Sequence, residues 1–139
     1  MGRISHPVSI FLDANILFSA ALGGEAFALL WDLAKQRKVI LHSSSYCLTE
    51  ARRNIVRKRP AAQSVLENLL TNVRVVPHAD QVNFSVDLNA KDLPVLASAV
   101  ASGVDVLLTG DIRHFGPLMG LPDLPVRVMT IRSFLLVGP

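Results

Sequence analysis

The sequence predicts an α/β fold, a three-layer α/β/α sandwich around a mostly parallel five-stranded sheet. Three observations predict it. Short apolar runs of strand length alternate with longer stretches of helical periodicity. The runs are mostly apolar instead of strictly alternating with polar residues, as strands covered on both faces are. Acidic residues recur just beyond the runs, where open parallel sheets gather their reactive groups. With 139 residues, half of them apolar, the chain suits a single domain over 1–139 with one core. It contains no internal repeat, low-complexity tract or linker.

Val8–Leu12 reads as a buried strand that stops at Asp13. From Gly24 to Lys38, Phe27, Leu30, Trp31 and Ala34 recur at three- and four-residue spacing, which predicts a helix. Val39–Leu41 is a second strand. Ser43, Ser44 and Ser45 offer caps for a helix through Lys58. Pro60 breaks that helix and suits the first turn of the next, which runs to Asn72. Val73–Val76 is a third strand, ended by Pro77, and residues 78–90 are polar and mixed, a loop or short helical turn. Asp92 heads a helix with Val95, Leu96, Ala99 and Val100 on one face, closed by Gly103. Val104–Leu108 is a fourth strand, Thr109-Gly110-Asp111 a turn, and Val126–Met129 a fifth strand before a short C-terminal helix. Right-handed crossovers then place helices on both faces of the sheet.

The net charge of +3 is modest and compatible with a polyanionic partner. Arg52, Arg53, Arg57, Lys58 and Arg59 fall within eight residues, either a solvated helix face or a phosphate track. No apolar run reaches the ~18 residues of a membrane span. Met1–Pro7 carries one positive charge but no signal-like apolar stretch. The lone Cys47 has no disulfide partner, which agrees with a reducing cytoplasm, and reads as a small buried helix residue. Leu29, Leu30, Leu66, Leu69 and Leu70 form apolar helical faces larger than one small core is expected to cover, which predicts a homodimer.

Four acids stand at the expected edge of the sheet. Asp13 follows the first strand, Asp111 follows the fourth, Asp92 opens the helix leading into the fourth, and Glu50 lies in the helix after the second. Each has a plainer reading: a cap or Asx turn for Asp13 and Asp92, turn chemistry for Asp111, a solvated helix position for Glu50. Held together without a cation, four carboxylates repel, so at least one is expected to titrate high and Asp111→Asn to relieve strain. Mg²⁺ or Mn²⁺ removes the conflict, because both take oxygen ligands and suit phosphodiester hydrolysis.

Taken in order, these residues resemble the PIN-domain family. Leu12-Asp13-Ala14-Asn15-Ile16-Leu17 is similar to its opening motif, and Leu48-Thr49-Glu50-Ala51 to its second acidic motif. Lys91-Asp92 with Leu96-Ala97-Ser98-Ala99 resembles the third, and Leu108-Thr109-Gly110-Asp111 with His114-Phe115 the fourth. The similarity runs from Val8 to Phe134. It implies a PIN-like fold and a metal-dependent endoribonuclease acting on single-stranded RNA, with Mg²⁺ or Mn²⁺ on Asp13, Glu50, Asp92 and Asp111. It further implies that Asn15 orients Asp13 or a metal-bound water, with Thr109 in a similar supporting role. Many compact members are the toxin half of a toxin–antitoxin pair, which implies an antitoxin partner.

Some members carry a further acid after the fourth motif, where this chain has Ile112, Arg113 and His114, so the number of metal ions stays open. His114 is either a ligand, a phosphate contact, or a side chain packed beside Phe115. Arg52, Arg53, Arg57 and Arg113 are the candidate RNA-binding cations. Two other functions fit parts of the pattern. An Asp-nucleophile phosphatase needs a second acid two residues after the nucleophile, where this chain has Asn15. A PIN-fold module that binds protein or RNA without catalysis needs no metal.

Overall fold

A computed structural model of the chain describes residues 6–137. Residues 1–5, on which most of the signal-sequence reading rests, lie outside that range. The central strand β1 (Val8–Leu12) is flanked by β2 (Val39–Ser44) and β4 (Val106–Leu108), with β3 (Val73–Val76) and β5 (Arg127–Met129) at the edges. Every pairing in the order β3-β2-β1-β4-β5 is parallel, so the sheet is more uniform than the mostly parallel one expected. The chain steps outward from β1 to β3, then returns to the other side of β1 for β4 and β5. The reversal leaves a crevice at the carboxyl ends of β1 and β4, the usual place for a site in an open parallel sheet. In the paired register Leu12 lies opposite Leu108, so Asp13 and Thr109 leave the sheet side by side.

Ile10, Phe11 and Leu12 are wholly buried, as are Leu41, Leu107 and Leu108 on the neighbouring strands. Each such side chain contributes roughly 1.5–3 kcal/mol on burial. That is why the strands read as mostly apolar runs. Helices cover both faces: α1 (Ala14–Leu22), α2 (Glu25–Lys35), α3 (Ser45–Lys58), α4 (Gln63–Leu70), α5 (Leu93–Ala101), α6 (Ile112–Phe115) and α7 (Ile131–Val137). A 3-10 turn at Pro60–Ala62 leads into α4.

Helix α1 was not separable by periodicity. Ala14, Ile16, Leu17, Ala20 and Ala21 are all buried, so the helix shows no narrow apolar stripe. Gly23 and Gly24, at φ +99° and +123°, end it and turn the chain through 106° into α2. Side chains other than glycine rarely adopt such angles. Among the described residues no single helix is long and apolar enough to cross a membrane.

The apolar faces behind the homodimer expectation are mostly covered by the chain itself. Leu30 and Leu66 are buried, Leu69 and Leu70 pack partly against the core, and only Leu29 stays exposed. The Trp31 indole donates to the Leu69 carbonyl at 3.0 Å, drawing α2 against the end of α4. Sequence periodicity had no means of showing that these faces meet one another.

Candidate active site

Asp13, Glu50, Asp92 and Asp111 line one cavity of about 250 Å³ at the carboxyl edge of the sheet. Asp13 sits where β1 becomes α1. Its Oδ1 accepts from the Ala14 amide at 2.7 Å, capping the helix. Its Oδ2 accepts from the Thr109 hydroxyl at 2.8 Å and the Asn15 amide at 3.2 Å. Asn15 Oδ1 in turn accepts from the Gly110 amide at 2.7 Å, and the Asp111 amide donates to Thr109 Oγ1 at 3.1 Å. The turns after β1 and β4 are thus laced together by side chains. Asn15 and Thr109 hold the Asp13 carboxylate, as the resemblance implied, and the Asn15 amide has no acidic proton for a leaving group. That leaves the phosphatase chemistry without its acid.

The plainer reading of Asp92, a cap on α5, is not what it does: its side chain makes no capping bond. Asn89 caps the turn just before α5, its Oδ1 accepting from the amides of Lys91 at 3.0 Å and Asp92 at 2.9 Å. The Asp92 carboxylate lines the cavity, and its Oδ2 is buried and makes no hydrogen bond among the described residues. A buried acceptor left unsatisfied costs about 1–3 kcal/mol, more when charged. Asp111 is a cap as well, its Oδ1 accepting from the His114 amide at 3.1 Å. Turn chemistry and cavity lining therefore coincide in one side chain.

His114 is not packed beside Phe115, which is wholly buried while His114 stays exposed. Its Nδ1 lies 2.7 Å from Asp111 Oδ2 and 3.4 Å from Asp92 Oδ2. Donor atoms of Asp92, Asp111 and His114 all fall within 4.8 Å of one another. Glu50 stands differently: Arg53 Nη1 lies 3.5 Å and Lys91 Nζ 3.6 Å from its two oxygens.

The electrostatic burden is uneven. Burial, reinforced by the charges of Asp92 and Asp111, pushes the Asp13 carboxyl up despite its hydrogen bonds from Thr109 and Ala14. Asp111 goes the other way. Burial opposes the shift, but the hydrogen bonds and charge of His114, with Arg113, hold it below the usual carboxylate range. The high-titrating acid expected from four-fold repulsion is Asp13, and neutralising Asp111 removes a favourable partner. Burial, then the neighbouring Asp13, pushes the Cys47 thiol up to about 12, which makes it an inert part of the wall.

Of the candidate cations, Arg53 touches Glu50, whereas Arg52 makes a two-pronged bond to Glu67 on α4, both contacts at 2.9 Å. Arg57 and Arg113 are exposed and do not line the cavity. The cations that do are Lys58, a member of the basic run, and Lys91, neither of them among the candidate RNA-binding residues read from sequence. Lys58 Nζ sits 5.7 Å from the centre of the Phe18 ring, another cavity residue. A signal was present: Tyr46, Glu50, Asn54 and Lys58 follow at four-residue steps on α3 and all four line the cavity. The set suits a hard divalent cation, since carboxylate oxygens dominate and one of them is buried without a partner.

A family model described as PIN domain matches residues 9–113. No curated protein matches the chain in sequence. Among solved structures, VapBC2 from Rickettsia felis bound to a DNA fragment from their promoter is similar with a TM-score of 0.63 and 19% identity, over 88% of this chain and 98% of that one. A toxin–antitoxin complex from Klebsiella pneumoniae gives a TM-score of 0.62 at 18% identity, over 88% and 97%. DNA-bound VapBC from Salmonella typhimurium gives 0.62 at 16%, over 89% and 98%. At these identities the likeness is one of fold.

Proposed function

The chain belongs to the PIN-domain family, and we propose that it is a Mg²⁺- or Mn²⁺-dependent endoribonuclease that hydrolyses single-stranded RNA, the toxin half of a toxin–antitoxin pair. The observation that carries the reading is the Asp92 carboxylate. It makes no capping bond, is buried with no hydrogen bond at Oδ2 among the described residues, and is set among three further acids in one cavity. A structural acid would be satisfied by its neighbours, whereas an acid that awaits a cation need not be.

Asp13, Glu50, Asp92 and Asp111 would hold the ion, with His114 beside Asp92 and Asp111 as a further donor. A bound divalent cation supplies charge for phosphoryl transfer and lowers the pKa of water. Thr109 and Asn15 keep Asp13 in one orientation. Lys91 and Lys58 supply positive charge on the cavity wall and attract the phosphate that the acids alone would repel.

An antitoxin partner is supported by the likeness in fold to the Klebsiella pneumoniae toxin–antitoxin complex and the two VapBC structures. The reading includes a homodimer, supported by exposed Leu22, Leu29, Leu136 and Val137. Incubation with folded and single-stranded RNAs in Mn²⁺, Mg²⁺ or chelator tests the activity. Cleavage of unpaired RNA with either metal, absent in chelator and in Asp92→Asn, is the expected result. Cleavage unchanged by Asp92→Asn would remove the basis of the proposal.

A further inference from the structure

We propose that the groove lined by Tyr46, Arg53 and His78 is a stacking subsite for one unpaired nucleobase on the Tyr46 ring, next to the phosphate held at the acidic cavity. The identity of that substrate as RNA rests on the endoribonuclease reading above. The groove has a volume of about 320 Å³, at the low end for small-molecule sites, and is lined by Ser45, Tyr46, Thr49, Glu50, Arg53 and His78.

Its position follows from the helix. Tyr46, Thr49, Glu50 and Arg53 recur at three- and four-residue steps, so they form one stripe along α3. His78 enters from the other side, on the segment just after β3 and Pro77. Tyr46 and Glu50 line both this groove and the acidic cavity, so the two are continuous. A strand whose phosphate reaches the acids can therefore lay a neighbouring base against this stripe.

The Tyr46 ring is suited to receive it. It is exposed, yet fixed, because its hydroxyl donates to the Lys91 carbonyl at 2.8 Å. Its centre lies 5.6 Å from that of the His78 ring, tilted at 45°. The two rings meet at a tilt, as aromatic pairs do, so a base would stack on the outer side of Tyr46 and not between them. An exposed aromatic ring held in one orientation loses little freedom when a base stacks on it. Arg53 lines the groove and Lys91 the adjoining cavity, both near Glu50, and they bring positive charge to a backbone that passes there. Aromatic faces set among backbone-binding cations are how unpaired bases are held, whereas a duplex hides its base faces.

The test is binding by fluorescence anisotropy in chelator, where cleavage does not intrude. The probes are a labelled oligouridylate and an abasic ribose-phosphate strand of the same length. Tyr46→Leu is expected to weaken oligouridylate binding by about 5- to 160-fold, the range for loss of one stacked base, and to leave abasic binding unchanged. Tyr46→Phe, which keeps the ring and loses only its tether to the Lys91 carbonyl, is expected to bind oligouridylate more weakly than wild type and more tightly than Tyr46→Leu. In Tyr46→Trp the added indole emission is expected to be quenched by oligouridylate and not by the abasic strand. Equal losses on both probes in Tyr46→Leu, or no quenching in Tyr46→Trp, would overturn the subsite. The outcome is separable from that of the nuclease proposal. RNA cleavage with Tyr46→Leu still at wild-type oligouridylate affinity removes the subsite alone. Base-dependent binding without metal-dependent cleavage removes the nuclease alone.

Discussion

Thr109 and Asp13, 96 positions apart in sequence, meet at 2.8 Å, hydroxyl to carboxylate, in the buried floor of the cavity. The contact exists because β1 and β4 are adjacent and in register, with Leu12 opposite Leu108. The Asp13 amide extends that ladder by one bond, donating to the Leu108 carbonyl at 3.0 Å. The orientation of the first acid is therefore set by the return of the chain to the far side of β1.

Thr109→Val keeps the shape and removes the hydroxyl. Hydrogen bonds to charged groups contribute about 1.5–3 kcal/mol, so urea unfolding should show a loss of that order. RNA cleavage should fall as well, because Asp13 loses its main orienting partner. A variant with wild-type midpoint and rate would show that Asn15 alone positions Asp13.

Gly110 lies so close to Asn15 that an added Cβ would stand 3.3 Å from Asn15 Oδ1. Asn15 has little room to yield, being tied to Asp13, to Thr109 at 3.4 Å and to the Gly110 amide. Gly110→Ala is expected to reduce kcat for RNA several-fold more than it lowers Tm. Wild-type turnover in Gly110→Ala would mean that the Asn15 bridge is not needed for activity.

The opposite pKa shifts of Asp13 and Asp111 predict opposite pH responses in chelator. Asp13 titrates high, so its contribution to stability is present below about pH 3.9, the unfolded value, and is lost as pH rises through its folded value. Asp111 titrates low, so its contribution is present above about pH 3.9 and lost as pH falls through its folded value. Metal-free Asp111→Asn should therefore melt below wild type at neutral pH, and the gap should close on acidification. Added Mn²⁺ should stabilise wild type by about 2.7 kcal/mol at a hundredfold excess over Kd, and the variant by much less. Equal metal shifts in the two proteins would exclude Asp111 as a ligand.

The cations divide by what they touch. Each phosphate contact on a single strand contributes about 0.7 log units per log unit of salt. Replacing Lys58 and Lys91 by Gln should flatten the salt dependence of oligonucleotide binding by one to two such contacts. Arg52→Gln should leave the slope unchanged, because Arg52 is bound to Glu67, and cost at most about 1 kcal/mol as an exposed pair. A flattened slope for Arg52→Gln would show that it leaves Glu67 for the nucleic acid.

The sequence by itself determined the sheet and where its acids fall. A strand buried on both faces is mostly apolar, so β1, the first half of β2 and β4 announced themselves, and the chain turned polar past β1 and β4, at Asp13 and Thr109–Asp111. Helix α1 escaped because its burial on several sides erased the stripe that marks a helix. Tertiary structure alone decided which partner each side chain took. Asp92 made no cap and faced the cavity, His114 came to Asp111 and Asp92, Arg52 turned to Glu67, and Lys58 and Lys91 reached the cavity. Local periodicity states which face of an element is apolar. Which polar group meets another across the crevice depends on packing between segments remote in sequence, and that is settled only when the core closes.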